Sequence, residues 1–242
     1  MKAFLLAAGE GRRLRPLTES TPKCLVPVRG TPLLGIWLRL LERHGVTDVL
    51  VNLHHLHEQV VAFVGSTQTS LTVHTVHEPR LLGSAGTVLA NRAFVSGEQD
   101  FLILYADNLT TVDIGRLVAF HRNRTETLTL GVAPTDRPQE KGTVVVGPDG
   151  RVTEFMEKAA QPRSRLANAG LYVAGQTLFD YLPAAVSDGT PLDFGHHVLP
   201  RMVPDVAACT VDEFLMDIGT PDQYQLAQAQ WPGIPEPLAS RS

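Results

Sequence analysis

The sequence predicts an α/β protein, a three-layer α/β/α sandwich whose central sheet is mixed and mostly parallel, with antiparallel strands added in the second half. Three observations carry this. The first half alternates short apolar runs with amphipathic stretches, as strand-helix-strand units do. One run, Phe101–Tyr105 (FLILY), is unbroken, as expected of a central strand covered on both faces. From Leu128 onward, strands joined by turn residues such as Pro148-Asp149-Gly150 replace the alternation. With 242 residues, 43% of them hydrophobic, one core suffices. Residues 1–230 are expected to form a single domain and residues 231–242, rich in proline, a surface tail.

Taken in order, Lys2–Ala8 is a short apolar strand ended by Gly9. A helix is expected over Pro32–His44, capped by Thr31, with Pro32 in its first turn and Gly45 ending it. Asp48–Leu53 and Leu71–Val76 are expected strands, with helices over Leu56–Val64 and Ser84–Arg92. Strands follow at Leu128–Val132, Gly142–Val146, Val152–Phe155, Leu171–Ala174 and Val206–Val211. Helices are expected near Phe179, over Phe194–Met202 and over Pro221–Gln230.

Composition excludes several function classes. The formal charge is −4 and the basic residues are scattered, so no nucleic-acid footprint is present and anionic ligands must be held locally. No stretch approaches the roughly 20 apolar residues of a membrane span. The apolar run before Gly9 is too short for a signal h-region followed by cleavage. Cys24 and Cys209 match neither a CxxC motif nor a disulfide framework, which points to free thiols in a reducing compartment. A soluble, cytoplasmic protein is expected, and a homo-oligomer is compatible with the sequence.

The strongest chemical signal is Leu6–Val28, LAAGEGRRLRPLTESTPKCLVPV, in which a strand runs into a loop holding Gly9 and Gly11, followed by Arg12, Arg13, Arg15 and Lys23. Small residues let backbone N–H groups approach phosphates, and the cations neutralise them. The Gly-Lys-Ser/Thr ending of a P-loop is missing, and Leu14 stands where a dinucleotide fingerprint has its third glycine. A glycine pair of this kind also occurs in strand-to-helix turns for steric reasons alone. The second signal is Asp107, placed where the Phe101–Tyr105 strand ends, the edge at which open α/β sheets bind ligands. Its oxygens suit Mg²⁺. An Asp in that place equally serves as a helix cap.

The chain resembles the sugar-phosphate nucleotidyltransferase family. The family signature GxGxRLxPLT followed by Pro-Lys stands here as Gly9, Gly11, Arg13, Leu14, Pro16, Leu17, Thr18, Pro22 and Lys23. The FxEKP and NAGxY elements appear as Phe155-Met156-Glu157-Lys158 and Asn168-Ala169-Gly170-Leu171-Tyr172, with Ala159 in place of the usual proline. A WxDxGT-like stretch appears as Phe214-Leu215-Met216-Asp217-Ile218-Gly219-Thr220. The resemblance implies a Rossmann-like fold and Mg²⁺-dependent joining of a nucleoside triphosphate to a sugar 1-phosphate, releasing pyrophosphate. Arg13, Lys23 and Lys158 would be the catalytic cations, and Asp107 and Asp217 the metal ligands. Leu6, Ala8, Gly9, Gly11, Glu78, Gly83 and Ser84 would bind the nucleotide. Gly142, Glu157, Lys158 and Asn168 would bind the sugar phosphate. The short GDP-mannose and GDP-heptose pyrophosphorylases, which lack a C-terminal β-helix domain, resemble it in length, and no residues are left here for such a domain.

At Glu78 a carboxylate accepts hydrogen bonds only. Guanine offers two adjacent donors and uracil one between oxygens, so GTP is favoured, with uridylyl or thymidylyl transfer as the alternative. A nucleotide-sugar-consuming glycosyltransferase is disfavoured, because Asp107 is followed by Asn108 and Leu109 rather than completing Asp-x-Asp. A non-catalytic nucleotide-sugar sensor would have lost charges that Arg13, Lys23, Asp107, Lys158 and Asp217 retain. His54, His55 and His57, and the adjacent His196 and His197, lack the helical i, i+4 spacing of a metal pair.

Overall fold

The computed structural model describes residues 1–185 and 189–234. In chain order the elements are β1 Lys2–Leu6, α1 Leu17–Ser20, β2 Pro27–Val28, β3 Thr31–Pro32, α2 Leu33–Arg43, β4 Asp48–Leu53, α3 His57–Ser66, β5 Thr72–His77, α4 Ser84–Ala90 and β6 Asp100–Tyr105. There follow β7 Asn108–Thr110, α5 Ile114–Arg122, β8 Leu128–Pro134, β9 Gly142–Val146, β10 Val152–Glu157, β11 Leu166–Gly175, α6 Leu199–Met202, β12 Val206–Thr210, β13 Leu215–Asp217 and α7 Pro221–Gln230.

The main sheet runs β10-β9-β11-β6-β1-β4-β5, with β8 added on β11 and β12 on β8. β6, β1, β4 and β5 are mutually parallel. β11 runs against β6, so β8 and β9, both antiparallel to β11, point the same way as β6. β12 is parallel to β8, and β10 opposes β9. Among the described strands of this sheet only β10 and β11 therefore run against the rest, which makes it mixed and mostly parallel. Strand alternation feeds a core on each face. Ala3 and Leu5 of β1 pack with α2 and α5 on one face, while Phe4 packs with α4 and the Phe194–Met202 segment on the other.

Several expectations are corrected. Pro32 precedes α2 with ψ 139° instead of opening it, because Thr31–Pro32 pairs with Pro27–Val28; Thr31 therefore caps nothing. Helix α5 was not expected from the sequence, although Asp113 caps it by accepting from Arg116 N–H at 2.9 Å. The two-stranded β7–β13 pairing was also not foreseen, and it sets Asp217 opposite Asn108. Phe194–Met202 opens as a wide π-type turn and becomes α-helical only over Leu199–Met202. The side chain of Asp193 takes the Gly195 and His196 N–H groups, and Pro200 has no N–H to donate back. The segment near Phe179 is a 3-10 helix. β10 and β11 reach further than expected, so Glu157 and Asn168 sit in strands.

The domain also extends past residue 230. Trp231 is buried and packs edge-on against Phe214, with ring centroids 5.5 Å apart. Residues 235–242 of the expected tail lie outside the described residues. Among the described residues no helix is long and apolar enough to cross a membrane.

One core contact reaches toward the ligand edge. Buried Trp37 of α2 donates Nε1–H to the Asn108 carbonyl at 2.8 Å, fixing the chain one residue after Asp107. Trp37→Phe keeps most of the apolar area and removes this donor, so urea unfolding is expected to show a loss of about 1–3 kcal/mol. A variant as stable as the parent would show that the bond contributes nothing.

Candidate active site at the carboxyl edge of the sheet

The carboxyl ends of β1, β4, β5 and β6 open into two adjoining cavities. The first, about 430 Å³, is lined by Leu6, Ala8, Gly9, Gly11, Lys23, Glu78, Gly83 and Ser84. The second, about 710 Å³, is lined by Gly142, Glu157, Lys158, Asn168 and Asp217, together with Lys141 and the turn from Asp193 to His197. Arg13, Tyr105, Asp107 and Pro191 belong to both walls and mark the seam. The structure thus gathers the site residues named from the sequence around one double cleft.

The loop after β1 owes its path to Gly11. It has φ +65°, and a Cβ there would sit 2.8 Å from Thr18 Cγ2. Its carbonyl accepts from Leu14 N–H and Thr18 Oγ1, each at 2.8 Å. This turn presents Arg13 at the seam, exposed and without an ion-pair or hydrogen-bond partner among the described residues. Arg12, by contrast, is spent on Glu10.

Between the cavities, buried Lys23 reaches Asp107 Oδ2 at 2.7 Å and lies 3.8 Å from Asp217 Oδ1. Lys141 Nζ holds Asp217 Oδ2 at 2.9 Å. Burial pushes the Asp107 carboxyl up, but the Lys23 ammonium, together with Lys141 and a backbone hydrogen bond, leaves the group below its ordinary value. Asp217 Oδ1 is buried and has no hydrogen-bond partner. Two hard carboxylates, one with an orphaned oxygen, suit a divalent cation. Among the described residues no cluster of three or more His, Cys, Asp or Glu side chains is arranged to hold a metal. The pair would therefore need substrate oxygens or water to complete a coordination sphere.

The residues expected to bind a nucleotide have structural partners that the sequence did not suggest. Glu78 Oε1 accepts from Asn52 Nδ2 at 3.0 Å and from Thr87 Oγ1, and its Oε2 accepts from Leu82 N–H at 3.1 Å. Asn52 Oδ1 in turn takes the Ala7 N–H at 2.7 Å. Ser84 donates to Asp193 Oδ2 at 2.8 Å. The second and third N–H groups of α4, from Ala85 and Gly86, are taken by the Leu192 carbonyl at 3.0 Å each, so this helix end does not offer those two to a phosphate. Gly83, with φ +81°, is where the Leu192 backbone crosses, and any Cβ would collide with it.

In the second cavity, a Cβ on Gly142 would meet Glu157 Oε2 at 2.5 Å and Phe155 Cζ at 2.7 Å, so a side chain there would displace this carboxylate and the ring behind it. Burial raises the Glu157 carboxyl above its ordinary value, against the opposing charge of Lys158. Lys158 stands at φ +46°, with its N–H on the Lys141 carbonyl at 3.1 Å, and its side chain, 59% exposed, brings Nζ to 3.8 Å from Glu157 Oε1. Asn168 donates to Tyr172 Oη at 2.7 Å and accepts from Gly170 N–H. The histidines are occupied structurally: His54 and His55 bond the Glu78 and Thr18 carbonyls, and His57 stacks on His77. Burial pushes the Cys24 thiol up to about 12, which makes it inert. Lys141, Asn52, Thr87 and Asp193 were missed in the sequence; only Lys141, beside Gly142, had a local signal.

Comparison with known proteins agrees with this architecture. A UTP–glucose-1-phosphate uridylyltransferase of Synechocystis sp. is 30% identical over 93% of this chain and 62% of its own. A probable mannose-1-phosphate guanylyltransferase of Oryza sativa subsp. japonica is 31% identical over 93% of this chain and 63% of its own. The chain thus spans a little over three fifths of the length of these curated relatives. The structure of a candidate glucose-1-phosphate thymidylyltransferase from Bacillus anthracis, in complex with a sucrose, superposes with a TM-score of 0.82 at 26% identity, covering 95% of this chain and 94% of that one. The nucleotidyl transferase family model matches residues 2–232, almost the whole of the double cleft and the sheet beneath it, and the chain belongs to that family.

Proposed function

We propose that the protein transfers a nucleoside monophosphate, GMP by preference, from its triphosphate to a mannose- or heptose-like sugar 1-phosphate, releasing pyrophosphate. The observation that supports this most is the seam, where Arg13, Lys23 and two carboxylates stand between a cavity sized for a nucleotide and a cavity lined with lysines and hydroxyl-binding groups. The sugar phosphate oxygen attacks the α-phosphorus in line, and the bond to the bridging oxygen of the pyrophosphate breaks. Both reactants are anions, so alignment and charge neutralisation make up the catalytic task.

In this reading Arg13 steadies the leaving pyrophosphate, Lys23 neutralises the α-phosphate region, and Lys158 swings onto the acceptor phosphate. Glu157 and Asn168 accept and donate to sugar hydroxyls. Asp107 and Asp217 would hold Mg²⁺, whose contribution when bound is Lewis-acid neutralisation of phosphate oxygens.

The choice of base has a second reading. Glu78 still has acceptor capacity on Oε2, as guanine recognition requires. Yet its three internal donors give it a structural task, and base recognition by neighbouring backbone would then permit UTP or dTTP. Pyrophosphate release measured with GTP, UTP, dTTP, ATP and CTP against mannose, glucose and heptose 1-phosphates decides both points. Release with GTP is expected; UTP or dTTP alone would keep the transfer chemistry and remove the guanylyl assignment. No release with any pair, alongside retained nucleotide binding, would favour a non-catalytic sensor.

Removing one preorganised electrostatic group commonly costs about 10²–10³ in rate. Arg13→Ala and Asp107→Ala are each expected to lose at least that in kcat/KM, and near-parental turnover would dismiss these roles. Because burial disfavours its charge, Glu157 stays protonated to a higher pH than an ordinary carboxyl. As pH falls, KM for the sugar 1-phosphate should therefore rise earlier than an unperturbed Glu would dictate, and Glu157→Gln should flatten that rise. An unchanged profile in Glu157→Gln would assign the pH dependence to another group.

A further inference from the structure

Lys141 has no role in the scheme above, yet it makes a short ion pair to one of the two metal-binding carboxylates. Its ammonium lies 2.9 Å from Asp217 Oδ2, while the other oxygen of that carboxylate is buried without a hydrogen-bond partner and 3.8 Å from Lys23. It springs from the residue before Gly142, on the wall of the acceptor cavity, with a side chain one-third exposed. Its own carbonyl holds the Lys158 N–H at 3.1 Å, so the two lysines flank the same space.

We propose that Lys141 is a displaceable counter-cation: it neutralises Asp217 in the metal-free protein and, once a divalent cation takes that carboxylate, turns to the phosphate of the sugar 1-phosphate. An ammonium and a divalent cation compete for the same oxygens, because like charges at contact distance repel and the carboxylate has few sites to share. Lys23 is buried and fixed on Asp107, whereas Lys141 has solvent and cavity on one side and room to move. The same cavity holds the Asp107 and Glu157 carboxylates, both within electrostatic reach of Lys141, and a sugar phosphate bound there would be a stronger anion than either. This inference rests on the transfer reading for its second half only; the competition at Asp217 stands without it.

One substitution then carries two effects of opposite sign. In Lys141→Met, Mn²⁺ binding to the substrate-free protein, followed by electron paramagnetic resonance, is expected to tighten about two- to fivefold, the range of a partly exposed ion pair. KM for mannose 1-phosphate is expected to rise about tenfold or more, as for a lost hydrogen bond to a charged group, with KM for the nucleotide nearly unchanged. Lys141→Arg should restore both values toward the parent. Asp217→Asn should abolish Mn²⁺ binding, leaving the full free-ion resonance, whichever residue stands at 141. A purely structural lysine would weaken both kinds of binding together. Equal or weaker Mn²⁺ binding in folded Lys141→Met, or persistent binding in Asp217→Asn, overturns the proposal. Lys141→Gln serves if circular dichroism shows the methionine variant unfolded. Failure of the transfer reading is seen separately, as absent pyrophosphate release by the unaltered protein in a chain whose Mn²⁺ affinity still responds to residue 141.

Discussion

A buried ammonium needs a counter-charge at close range, since an isolated charge in a protein interior is costly. Lys23 has only about a tenth of its surface exposed, and the structure around it is arranged to meet that requirement. It sits on the 3-10 turn Lys23–Leu25, which is pinned beneath α2 by the Leu33 N–H on the Val26 carbonyl at 3.1 Å. Its partners come from segments far apart in sequence, Asp107 from just past the end of β6 and Asp217 from the end of β13. Ile218 N–H on the Asp107 carbonyl at 3.1 Å binds those two ends directly. The same contacts that satisfy the lysine therefore fix the seam between the cavities.

The nucleotide-side wall is set by a second polar unit. Ala7, Asn52, Glu78 and Thr87 come from the loop after β1, β4, the segment after β5, and α4, and each is joined to the next by hydrogen bonds. Buried networks of this kind rigidify when every member is satisfied. The Leu192 backbone closes the wall by occupying the second and third N–H groups of α4. The cavity is shaped here by groups that already have partners, while Arg13, the Asp217 Oδ1 atom and the exposed Lys158, 3.8 Å from Glu157 Oε1, gather at the seam and in the second cavity. Preorganised walls with charge between them suit the transfer between two anions proposed above.

The parallel half was legible because its signals are local. An unbroken apolar run such as FLILY and a strand bounded by turn residues such as DVLVNL depend on neighbouring residues alone, and Asp48–Leu53 and Gly142–Val146 lie where these runs place them, as Pro221–Gln230 lies behind its Thr220 cap and first-turn proline. Helix α5 was overlooked despite its Asp113 cap and its buried face of Ile114, Leu117, Val118 and His121. The short β2–β3 and β7–β13 pairings were not legible, since a strand of two or three residues has no periodicity to detect.

By itself the sequence determined the layered α/β class and the chemical types at the cleft: a glycine turn that only a residue tolerating positive φ can make at Gly11, cations following it, and carboxylates at Asp107 and Asp217. Tertiary structure alone decided who meets whom. It put Lys141 on Asp217, turned Glu78 inward to Asn52 and Thr87, tied Ser84 to Asp193, and drew Trp231 into the core. Side-chain identity and period are properties of adjacent residues, whereas an ion pair between positions 141 and 217 exists only after the sheet order and strand register have brought distant segments together.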